Sequence, residues 1–104
     1  MTNPTVVLNV VGLDRATLKH MPNLASVGAV TDLLPVLPAV TCSAQATMLT
    51  GKSPAEHGVV GNGWYERDQA EVRFWKQSNH LVQGEKVWET ARRRDPSVTT
   101  AKLF

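Results

Sequence analysis

The sequence predicts an α/β fold, a mixed and mainly parallel sheet flanked by helices. Three observations predict it. Two apolar, β-branched runs, residues 5–11 and 98–104, lack the clean alternation of a half-exposed strand, as strands covered on both faces do. Between them, helical spacings and turn-rich connections give the order strand, helix, strand, helix, hairpin, helix, strand, the alternation of a sheet with helices on its faces. Hydrophobic residues make up 42% of the 104 residues and charged residues 19%, the balance of a folded chain rather than a disordered tail.

Each element has its own signal. Residues 5–11 run to Gly12 as the first strand. Asp14 is placed to cap a helix over residues 15–21, which Pro22 stops. Residues 23–27 add a further helical turn until Gly28, and residues 29–34 return to extended chain before Pro35 and Pro38. Thr41 is an N-cap type and Gly51 a C′ type, which predicts a short helix over residues 42–50. Pro54, Gly58, Gly61 and Gly63 mark residues 53–63 as loop. Residues 71–76 alternate like one strand of a small hairpin. Residues 86–94 carry Val87, Trp88 and Ala91 at helical spacing, with Pro96 just beyond. Residues 98–104 form the last buried strand and stop inside it without a cap or polar tail. The chain is therefore expected to be a single incomplete domain, 1–104, the N-terminal portion of a larger one and marginally stable alone.

Composition excludes several functions. The net charge of +2 comes partly from Arg92, Arg93 and Arg94, offset by Glu85, Glu89 and Asp95. No basic stripe follows, so a nucleic-acid partner is not expected. Cys42 is the only cysteine, which rules out an internal disulfide and a cysteine-based zinc knuckle. No apolar run approaches a membrane span. The start of the chain lacks a secretory pattern, and a cytoplasmic location is expected unless a leader precedes it.

The chemistry concentrates between Pro38 and Tyr65. Thr41 puts a hydroxyl at the start of a helix, where free N–H groups and the dipole favour a phosphate-like anion. Such a hydroxyl becomes a nucleophile once something lowers its pKa, and a bound divalent metal does so without a histidine base. The glycine-rich loop can return the Asn62 amide to the same place as a donor for charge developing on a phosphoryl oxygen.

This segment resembles the nucleophile region of the nucleotide pyrophosphatase/phosphodiesterases, a branch of the alkaline phosphatase superfamily. There a threonine opens a helix ending in Thr-Gly, followed by Pro-x-x-His-Gly, Gly-Asn and an aromatic. Thr50-Gly51, Pro54, His57-Gly58, Gly61-Asn62 and Tyr65 fill those places without a gap, and Asn62 stands at the family's distance from Thr41. The resemblance implies the N-terminal part of an alkaline phosphatase-like domain. It implies Thr41 as catalytic nucleophile and metal ligand, Asn62 as substrate-binding residue, and a divalent metal, Zn2+, as cofactor. The partner it implies is a small phosphate ester or nucleotide; oligomeric state is left open.

Two departures accompany the match. The family's first strand ends in Asp-Gly, the aspartate being a metal ligand, whereas Val11-Gly12 stands here. Neither Asn9 nor Asp14 is placed to substitute. Cys42-Ser43-Ala44-Gln45 replaces the common Phe-Pro-Asn-His, and the remaining family ligands lie beyond Phe104. The expected function is metal-dependent hydrolysis of phosphodiester or pyrophosphate bonds, with this piece alone inactive. The alternatives are a catalytically degenerate binding or scaffold relative, or a phosphonate or sulfate ester hydrolase of the same superfamily. His57 is expected to tie the loop. Cys42 and Trp64, Trp75 and Trp88 are expected to pack, and Asn62 competes with a plain role as a positive-φ turn residue.

Overall fold

Asp14 begins the first regular structure as predicted, its Oδ1 accepting the backbone N–H of Thr17 at 2.7 Å. That bond caps α1 (Arg15–Leu18). The computed structural model describes residues 3–76 and 78–103, and the chain divides into two compact units, Met1–Leu33 and Leu34–Phe104.

In the first unit Pro22 does not merely stop a helix. With φ preset for a helical start, it opens a second one, α2 (Pro22–Ala25). The run 5–11 is not paired in a ladder, and it ends in a turn in which Leu13 N–H donates to Val10 O at 3.3 Å. Gly12 sits there at φ +81°, a conformation costly for any residue with a Cβ. Val6, Val7, Leu8 and Val11 are exposed, Val11 at 84%. The sequence asks for a strand covered on both faces, and among the described residues of this unit nothing supplies either cover or a neighbouring strand.

The second unit holds α3 (Thr41–Thr50), α4 (Pro54–His57), the antiparallel pair β1 (Gly63–Glu66) and β2 (Glu71–Phe74), a 3-10 turn (Asn79–Leu81) and α5 (Val87–Arg94). Its buried centre is small: Ser43, Ala46, His57, Val59 and Lys86. Ser43, Ala46 and Thr47 share one face of α3 by helical spacing, and α3 packs on α4. Gly51 closes α3 at φ +67°, its N–H bonded to Thr47 O at 2.8 Å. A capping box opens α4, Ser53 N–H donating to Glu56 Oε2 at 2.8 Å. Lys86, 8% exposed, donates from Nζ to Val82 O at 2.8 Å, while its N–H meets Glu89 Oε2 at 2.8 Å and starts α5.

The sheet among the described residues is therefore a two-stranded antiparallel one and not a parallel one. The fold observed is a small mixed helix and strand assembly. The predicted last strand, residues 98–104, forms no ladder over 98–103, and Phe104 lies outside the described residues. Hairpin register pairs Gly63 with Phe74 and Tyr65 with Val72. A Cβ on Gly63 would fall 2.4 Å from the Phe74 ring and 2.9 Å from Arg73 O. The ring can swing but the carbonyl cannot, so Gly63→Ala is expected to destabilise the hairpin by about 1–3 kcal/mol. Comparing urea midpoints of variant and parent checks this.

On the surface of this unit Arg93 grips Glu85 with two parallel bonds, 2.9 and 3.0 Å. The Arg93 hydrogen bonds, followed by one from Thr90, pull the Glu85 carboxyl down from 4.5 to about 2. Because the folded value lies below the unfolded one, this pair contributes stability above about pH 4.5 that is lost as pH falls toward 2. The Glu85→Gln variant is expected to show a flatter loss of stability across that window than the parent, and the difference to shrink in high salt. Denaturant titrations at several acidic pH values read it directly.

Candidate functional site

The start of α3 is where the sequence-predicted residues meet. An α-helix leaves its first N–H groups without intrahelical partners, and here the first helical bond is Ala44 N–H to Val40 O at 2.9 Å. Val40, not Thr41, is the N-cap, at φ −120° and ψ 160°, and Thr41 is the first helical residue. The sequence reading placed the cap one residue late, because threonine is the usual capping type and valine is not. Valine has no oxygen to cap with. The missing acceptor comes from Asn62, whose Oδ1 takes the Cys42 N–H at 2.9 Å.

That bond orients the Asn62 side chain. A backbone N–H can be met only by the carbonyl end of a carboxamide, so the two Nδ2 hydrogens are left as the donors at the start of α3. The Asn62 main chain is also held, its carbonyl accepting Trp75 N–H at 2.9 Å at the mouth of the hairpin. Asn62 is absent from the positive-φ residues, which among the described residues are Ala70 and Trp75 besides glycines. The explanation of Asn62 as a residue favoured for positive φ therefore fails, and its place is set by its side chain. Thr41 is exposed and Asn62 half-buried, so both are open to a ligand.

His57 is fully buried, at 0% exposure. Its Nδ1 accepts Val59 N–H at 3.1 Å, which puts the ring proton on Nε2, 3.0 Å from Thr47 Oγ1. Both nitrogens are spent on the fold, leaving none for a metal. Cys42 is half-buried, and burial pushes its thiol pKa up, the opposite of what a reactive or metal-bound thiol needs. Ser43 Oγ is buried and without a hydrogen-bond partner among the described residues.

The tryptophans divide. Trp64 and Trp88 are half-buried, and the Lys102 ammonium lies 4.4 Å from the Trp88 ring centroid, a cation–π contact. Trp75 is 57% exposed and has φ +53°, so the expectation that it packs is corrected. A bulky residue in that region is strained.

A metal centre is not assembled by these residues alone. Among the described residues, no group of three or more His, Cys, Asp or Glu is placed to hold an ion. At the start of α3 the Asn62 Oδ1 is committed to Cys42, and Thr41 supplies one hydroxyl oxygen. In the first unit Val11 offers no donor, and Asp14 Oδ1 is occupied by the Thr17 N–H and hydroxyl.

A family model described as type I phosphodiesterase / nucleotide pyrophosphatase matches residues 5–104. The chain belongs to this family. No curated protein and no solved structure matches the chain significantly. The phosphodiesterase family match takes in both units and with them Thr41 and Asn62. It marks the chain as one of phosphodiesterase or nucleotide pyrophosphatase-type hydrolases. Sequence reasoning singles out these two residues but misses the Cys42–Asn62 bond. The available signal was Val40 itself, a helix start whose cap position cannot cap. No described helix is long and apolar enough to cross a membrane.

Proposed function

We propose that the chain carries the nucleophile portion of a hydrolase cleaving phosphodiester or pyrophosphate bonds in a small ester or nucleotide. The observation that supports it is the Asn62 Oδ1 bond to Cys42 N–H at 2.9 Å, which commits the carbonyl end of the amide and leaves its two Nδ2 hydrogens as donors at the start of α3, the helix that Thr41 opens. Thr41 Oγ1 attacks phosphorus, the bond to the leaving oxygen breaks, and that oxygen takes up a proton while the threonine hydroxyl gives one up. The substrate's remaining phosphoryl ester stays on Thr41 until water displaces it. Asn62 Nδ2 donates to an equatorial oxygen as charge builds there, an interaction worth most in the transition state. The free N–H groups of the α3 first turn favour the same anion.

A divalent metal, zinc by the sequence resemblance, is proposed as cofactor, with ligands other than Thr41 drawn from outside these residues. In the same proposal the runs 5–11 and 98–103 become strands of the family's mainly parallel sheet. The exposed apolar side chains of residues 6–11 are what such a sheet would cover.

A second reading is favoured by Val11, where a carboxylate ligand is expected and a valine stands. It makes the protein a binding or scaffold relative without turnover. A panel of phosphodiester, pyrophosphate, phosphonate and sulfate esters, run on the full-length protein with and without chelator, separates these. Chelator-sensitive cleavage of the diester or pyrophosphate is expected. Preference for a phosphonate or sulfate ester assigns a different reaction of the superfamily, and no turnover with any ester supports the binding relative.

A further inference from the structure

We propose that Thr47 and His57 are positioning residues for Asn62, holding its amide against the start of α3 through a closed ring of bonds. The ring runs up α3 from Cys42 to Thr47, across from Thr47 Oγ1 to His57 Nε2 at 3.0 Å, and from His57 Nδ1 to Val59 N–H at 3.1 Å. It then follows the chain to Asn62 and closes from Asn62 Oδ1 to Cys42 N–H at 2.9 Å. A further tie, Gln83 N–H to His57 O at 2.9 Å, anchors the backbone on the other side of the ring.

Each link is needed. Between His57 and Asn62 lie Gly58 at φ +78° and then Gly61, a stretch with little stiffness of its own. Its course is set by what its ends are bonded to. His57 and Val59 are both buried, so their mutual bond is shielded from water and gives a fixed end. Thr47 stands on the buried face of α3 and relates that end to the same helix whose first turn Asn62 caps. Loss of the Thr47 hydroxyl therefore frees the loop to move against α3, and the Asn62 amide with it. The proposal rests on the reading of Asn62 as the phosphoryl-oxygen donor for its catalytic consequence, and not for its structural one.

Amide hydrogen exchange tests it without turnover. In α3 the Cys42 N–H has no intrahelical partner, and its protection reports the Asn62 bond alone. In full-length protein carrying Thr47→Val, Cys42 is expected to lose protection by about tenfold or more while Leu49 and Thr50, deeper in α3, keep theirs. Thr47→Ser restores Cys42. In an active enzyme Thr47→Val lowers kcat with KM nearly unchanged, and Thr47→Ser recovers it. Equal loss of protection at Cys42 and Leu49 means that Thr47 only stabilises the unit and overturns the proposal, as does no change at Cys42. Should Thr47→Val not fold, imidazole nitrogen shifts in the parent protein decide: the Nε2–H tautomer of His57 is expected, and an Nδ1–H tautomer overturns the ring. Failure of hydrolysis to depend on Thr41 would sink the proposed function and leave the exchange result standing.

Discussion

Thr41→Ala is expected to reduce phosphodiester hydrolysis by the full-length protein by at least about 10³-fold, because the oxygen proposed to attack phosphorus is removed outright. Folding should be almost untouched. Thr41 is exposed, and it is the first helical residue rather than the cap, so neither burial nor capping is lost with its hydroxyl. Thr41→Ser keeps the oxygen on a slimmer side chain and is expected to retain substantial turnover. The comparison separates a nucleophile from a helix-starting residue: a cap would show in the melting temperature, a nucleophile in kcat. Steady-state kinetics and thermal melts of the three proteins, side by side, provide both readouts.

Asn62 caps α3 and is proposed to donate to substrate with the same amide, and two substitutions take these roles apart. Asn62→Ala removes the acceptor for Cys42 N–H and the donor to phosphate together. It is expected to lower stability by about 1 kcal/mol, the usual worth of a helix cap, and activity by about 10²–10³-fold. Asn62→Asp keeps an oxygen for Cys42 N–H and so keeps the cap. The other oxygen then turns a negative charge where the Nδ2 donors were, toward an anionic substrate. Activity should fall at least as far as in Asn62→Ala while stability stays near that of the parent. Activity that tracked stability in both variants would reduce Asn62 to a capping residue.

What was legible in the sequence and what was not divide along physical lines. Local signals held: Asp14 caps α1, Gly51 closes α3, and the alternating run after residue 70 pairs as β2. These depend on contacts within a few residues, where residue type decides conformation. The helix start at Thr41 was misread by one position, since its capping oxygen comes from Asn62, which lies far along the chain. Sequence spacing cannot show a cap that closes through space. The two apolar runs were read as covered strands, and the described chain leaves them unpaired. A strand's pattern states what it needs on its faces, but not what provides it.

The site follows the same rule. Register within one motif singles out Thr41 and Asn62, and the structure joins Asn62 to the helix that Thr41 opens. Trp75 was read as packing because tryptophan is mostly buried, yet it lies at the end of β2 in a strained conformation with its side chain open. His57 shows why a conspicuous histidine need not be a ligand. Both of its nitrogens are taken by Thr47 and Val59 inside the fold.

The most direct measurement is to trap the covalent intermediate. Full-length protein is mixed with a phosphodiester substrate and divalent metal, quenched in acid within the first turnover, digested and mapped by mass spectrometry. A phosphoryl ester on the peptide containing Thr41, absent from the Thr41→Ala protein, is the predicted result. Rapid turnover with no adduct at Thr41, or with the adduct on another residue, would contradict the assignment of this helix start as the nucleophile.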